Sequence, residues 1–213
     1  MSTLTELRDR VEQTLADVSN AIWSTAGLDE ALRQALAEYS AAVPRRLNTT
    51  LALSGLLSAN GREIDIADMV VVDILAVHAP YLAGDVTACP RAFEFWRDCS
   101  VIHLTDTTAQ STDTARIFYT ATHVIGGLDD GLITTVRPEH ETLLVGGAAA
   151  LAALSRAVDL TEQVTVSNQT VQEVRLWGEY KLREFRAALR QAQGQAASGP
   201  PWVALPALDR WDK

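Results

Sequence analysis

Leu4, Leu7, Val11, Leu15, Val18 and Ile22 recur at spacings of three and four, the period of a helix that buries one stripe. Thr3 and Glu6 stand where a capping box would satisfy the first unbonded N–H groups, so the pattern predicts a helix over 3–22. Thr25-Ala-Gly27 reads as a break. Leu28, Leu32, Leu36, Tyr39 and Val43 then form a second stripe, a helix over 28–43 that ends before Pro44, a residue unable to continue it.

Beyond Pro44 the period changes from helical to alternating. Leu47, Thr49, Leu51 and Leu53 alternate with their neighbours, and Asn60-Gly61 is a turn signal ahead of Arg62–Ile66. Val70–His78 is β-branched and apolar, and Phe93–Thr105 and Thr114–Ile125 are further strand candidates around the polar turn 106–113. These segments predict a β-rich insertion over 45–125, a small antiparallel sheet of about four or five strands.

The helical period returns at Pro138, which with Glu139 and Glu141 suits a helix start. A helix over 138–158 is expected, its centre nearly all glycine and alanine. Glycine inside a helix costs roughly 1 kcal/mol relative to alanine, so Gly146-Gly147 marks a place where another element comes close; Leu36, Trp177 and Phe185 are the large candidates to fill it. A last helix over 168–193 carries Val171, Val174, Gly178, Leu182, Phe185 and Leu189 on one face. Thr170 and Glu173 have capping-box spacing there, and Glu179 and Arg183 have ion-pair spacing. Residues 194–213 read as an extended C-terminal docking arm. The expected fold is α+β: a bundle of about four helices in a single domain over 1–193, with the sheet inserted and the arm appended.

Composition narrows the function. The 213 residues are 47% hydrophobic with a net charge of -9, which argues against broad binding to nucleic-acid phosphates. Pro44-Arg45-Arg46 is too small a basic group to reverse that and reads as a solvated face. Cys89 and Cys99 make neither a disulfide framework nor a zinc site, and a reducing compartment is the simpler expectation. No signal-peptide pattern opens the sequence. The apolar run Leu143–Leu154 is shorter than the roughly 20 residues a bilayer span needs, so no membrane role is expected.

Candidate chemistry is sparse. His123, Asp129, Asp130, His140 and Glu141 are the only cluster resembling a metal-dependent hydrolase site. Turn formation by Gly126–Gly131 and the helix start at Pro138 explain the same residues without catalysis, so no enzyme, metal or cofactor is expected. The arm is harder to leave in water. Trp202, Val203, Leu205, Leu208 and Trp211 are strongly apolar, and each large side chain buried is worth about 1.5–3 kcal/mol. Together with Phe185 and Leu189 they are the candidate partner-docking residues.

Four segments carry a resemblance: Leu28–Arg46, then EFWRDCSVIHLTD, ARIFYTATHVIGGLDD and TTVRPEHETLLVGGAAALAALSRAVD. In order and local wording they resemble the head–tail connector, or adaptor, proteins of tailed bacteriophages and prophages. The likeness covers roughly residues 28 to 160. It implies a structural subunit assembled as a homo-oligomeric ring, commonly of about twelve copies, between the portal protein and the downstream neck or tail-completion protein. It also implies a place in the virion neck after synthesis in the host cytoplasm, double-stranded DNA crossing the ring without specific binding, and a C-terminal helix and arm that reach the portal. A general interaction module with no viral role is the remaining alternative.

Overall fold

The computed structural model describes residues 2–17, 22–81, 90–161 and 168–197. The chain is mixed α+β and folds as two compact units. One comprises the residues up to Pro44 together with those from His123 through the last helix; the other is Arg45–Thr122.

The helical unit contains α1 (Leu4–Thr14), α2 (Thr25–Ala42), α3 (Pro138–Thr161) and α4 (Asn168–Ala197). The capping box at Thr3 forms: Thr3 Oγ1 accepts from the Glu6 N–H at 3.3 Å, and the Glu6 carboxylate accepts from the Thr3 N–H at 2.8 Å. The helix nevertheless ends well short of residue 22. Ala16 turns left-handed at φ 57°, its N–H bonds Gln13 O, and the Asp17 N–H bonds Glu12 O. This is a Schellman stop, usually built on glycine. The Asp17 carboxylate then accepts from the N–H groups of Ile22 and Trp23 at 2.8 and 3.0 Å. Ile22 is therefore half exposed instead of completing the buried stripe, and Val18 lies outside the described residues.

α2 begins three residues early because Ser24 caps it, with its Oγ accepting the Gly27 N–H at 3.1 Å. The supposed break is the first turn. α4 opens at Asn168, which puts Thr170 inside the helix and not at its cap. The expected Glu179–Arg183 ion pair is replaced by Arg175–Glu179 at 2.8 Å, and Arg183 instead donates to the Glu179 carbonyl.

α3 packs against the other three helices. Leu144, Val145 and the small residues Gly147–Ala150, Ala152 and Ala153 are buried within it. At 24 residues it is long and apolar enough to cross a membrane, which corrects the length argument made from its apolar run. Its hydrophobicity on nearly every side is also that of a helix surrounded by other helices. A Cβ on Gly147 would lie 2.7 Å from the Phe185 ring, and one on Gly178 would lie 2.9 Å from Leu154. The glycines thus let α3 and α4 approach, with Phe185 filling the space as the sequence led us to expect.

The second unit holds β1 (Arg45–Ala52), β2 (Glu63–Asp65), β3 (Asp73–His78), β4 (Phe93–Trp96), β5 (Val101–Leu104) and β6 (Thr114–Ala121). These form two antiparallel three-stranded sheets, ordered β1-β6-β3 and β2-β5-β4, where one sheet was expected. The division follows from two local features. Phe93–Thr105 is broken by a tight turn at Arg97–Cys99 with Ser100 left-handed at φ 54°, which folds one expected strand into the β4–β5 hairpin. Asn60-Gly61 forms the expected turn, with Gly61 at φ 71°. Leu53, Ile64, Val77, Ile102, Leu104 and Ile117 make the core of this unit.

Candidate functional site

The polar cluster around α3 is assembled from structural bonds. Tyr39, buried near the end of α2, places its hydroxyl 2.8 Å from His140 Nδ1, and its ring packs 4.9 Å from that of His123. Burial pushes the Tyr39 phenol above its ordinary value. His123 is buried as well. Its Nε2 lies 2.9 Å from the Val43 carbonyl, its Nδ1 lies 2.9 Å from the Thr135 carbonyl, and its backbone N–H donates to Ser40 Oγ at 3.0 Å. These bonds tie the end of α2 to the start of the 123–137 segment.

Glu141 accepts from the Ser2 N–H at 3.0 Å, from Ser2 Oγ at 2.6 Å and from Arg10 at 3.0 Å. Burial alone would raise its carboxyl, but the two Ser2 hydrogen bonds and Arg10 outweigh that and hold it below the ordinary value. Asp129 is on the surface and paired with Arg33 at 2.8 Å, while Asp130 is exposed at φ 60°. Among the described residues no group of three or more His, Cys, Asp and Glu side chains could hold a metal ion. The hydrolase alternative built on His123, Asp129, Asp130 and His140 therefore loses its geometry, because each histidine faces other partners and the aspartates belong to a turn.

That turn has a different product. Gly127 N–H bonds Gly131 O, Leu128 N–H bonds Ile125 O, and Gly131 N–H bonds Leu128 O. Gly126 N–H donates to Thr134 Oγ1, and Val124 N–H donates to Thr135 Oγ1. A Cβ on Gly131 would lie 2.4 Å from Ile125 O, so only glycine fits. Ile125 and Leu128 are buried beneath the turn. The bonds hold the backbone while Leu132 stands 95% exposed and Ile133 61% exposed. Two adjacent aliphatic side chains on a fixed loop form a preorganised apolar knob. Sequence reasoning missed them, although a Leu-Ile pair following Asp-Asp-Gly, with no strand or helix period around it, was the available signal.

At the other end of α3, Leu154, Ala157 and Val158 with Val171, Gln172 and Arg175 of α4 line a groove of about 450 Å³. Val158 on its rim is 64% exposed. In the β unit, Val70, Val72, Leu75 and Trp96 are also exposed.

Of the docking residues proposed from sequence, Phe185 and Leu189 lie in the core of the helical unit. Trp202, Val203, Leu205, Leu208 and Trp211 lie outside the described residues. So does Cys89, while Cys99 is exposed.

No known protein family matches the sequence, and no curated protein matches it. Among solved structures, the chain is similar to one described as the neck of an empty GTA particle computed with C6 symmetry. The identity is 16%, the TM-score is 0.31, and the match covers 68% of this chain and 74% of the other.

Proposed function

We propose that this chain is a non-enzymatic structural subunit of a phage-type head–tail connector ring. Copies of it would join the portal protein to the next neck or tail protein and continue the DNA channel. The observation that carries this reading is the hydrogen-bonded loop that holds Leu132 and Ile133 in solvent. An apolar pair on a fixed backbone loses little entropy when a partner covers it, which favours association.

Two further features support the reading. His123, His140 and Glu141, the candidate catalytic residues nearest α3, are engaged in bonds that join one part of the helical unit to another. The net charge of -9 suits a channel wall past which DNA moves without being held, since like charges repel. In this scheme α4 leads toward the portal, and Trp202 and Trp211 in the arm anchor there. The assembled protein belongs to the virion neck.

Co-purification with a phage-type portal protein tests this. The full chain should bind portal, and removal of residues 198–213 should weaken binding by at least about tenfold, since two buried tryptophans exceed the 1.4 kcal/mol that a factor of ten represents. Equal binding by the truncated chain would remove the arm from the account. No binding by either would remove the portal.

A further inference from the structure

The knob and the groove lie at opposite ends of α3. At 1.5 Å per residue this helix is about 36 Å long, and the bonds that fix the Leu132 loop keep the knob from swinging back to the groove of its own chain. The two surfaces are complementary. The knob is aliphatic and preceded by Asp130, which makes no ion pair among the described residues. The groove is floored by Leu154, Ala157 and Val171, and Arg175 stands on its rim. Among the described residues Arg175 pairs with half-exposed Glu179 one turn away, a contact weak enough to exchange.

We infer that Leu132 and Ile133 of one copy seat in the Leu154–Val158–Val171 groove of a second copy, with Asp130 facing Arg175. The contact is head-to-tail, since each copy offers its knob at one end of α3 and its groove at the other. Repeated with rotation, such contacts close into a ring. The inference rests on the ring reading and gives it a specific interface.

Disulfide trapping tests the contact in the full-length chain carrying Cys89→Ser and Cys99→Ser. One preparation carries Leu132→Cys and another Val158→Cys. Mild oxidation of the mixture should yield a linked dimer at least about tenfold above either preparation alone. A chain carrying both changes should yield a ladder of longer multimers. Linked dimers within each preparation and none between them would overturn the contact, as would a double variant that stops at dimers.

Leu132→Asp separates this interface from the ring reading. It should keep the wild-type melting temperature, the side chain being in solvent, and should fail to form portal-bound rings. If Leu132→Asp builds the same portal-bound ring as the wild type, the contact is wrong and the ring stands. If trapping succeeds but the wild type never joins portal, the contact stands and the neck assignment is wrong.

Discussion

Gly146 and Gly147 are neighbours with opposite roles. A Cβ on Gly147 would meet the Phe185 ring at 2.7–2.8 Å, whereas one on Gly146 would meet nothing within 4 Å. Gly147→Ala should therefore destabilise the protein by about 1–2 kcal/mol, the overpacking outweighing the gain in helix propensity. Gly146→Ala should stabilise it by up to about 1 kcal/mol. Thermal or denaturant unfolding of the two variants reads both signs. The sequence disclosed that this helix must be closely approached and that Phe185 was a candidate partner. It could not disclose which glycine faces the ring, because the two differ by only one step around the helix.

At the scale of elements, legibility followed local chemistry. The Thr3 capping box, the Asn60-Gly61 turn and the start of α3 at Pro138 were readable because each is set by adjacent side chains. The end of α1 was not, since Ala16 occupies the left-handed position where glycine normally announces a stop. Ala16→Gly should accordingly raise stability by about 0.5–1 kcal/mol, the left-handed penalty on alanine exceeding the extra entropy glycine loses on folding. The division of the strands into two sheets was hidden for a similar reason, as Ser100 is left-handed without being glycine.

Glu141 joins α3 to the N-terminal segment and to α1. Its carboxyl is held below the ordinary 4.5 when folded, so the stabilisation it provides is present above that pH and is lost as pH falls through the folded value. Glu141→Gln should lower stability by about 1.5–3 kcal/mol at neutral pH, the range for hydrogen bonds to a charged group. The gap from the wild type should narrow on acidification below pH 4.5. A gap independent of pH would mean that the charge of Glu141 does not matter.

At the scale of the molecule, the sequence conveyed the class of fold and the order of its parts: helices, a β-rich insertion, then helices again. The insertion, expected over 45–125, closes as a compact unit over Arg45–Thr122. The candidate site was less legible. Histidines and carboxylates drew notice because those residue types perform chemistry, yet the partners of His123, His140, Glu141 and Asp129 are backbone carbonyls, the Tyr39 hydroxyl, Ser2 and two arginines. Leu132 and Ile133 were overlooked because an aliphatic pair reads as core until its exposure is known. In the proposed ring, function lies in such surfaces, which a search for reactive side chains passes over.

The proposed function requires copies of this chain to assemble on a portal as a ring around the DNA path. Cryo-electron microscopy of the full chain mixed with a phage-type portal protein is the decisive experiment. A closed ring coaxial with the portal is expected, with adjacent copies touching through the Leu132 loop and the α3–α4 groove. A chain that stays single beside unoccupied portal, or a ring whose lumen is lined chiefly by Arg and Lys, would contradict it.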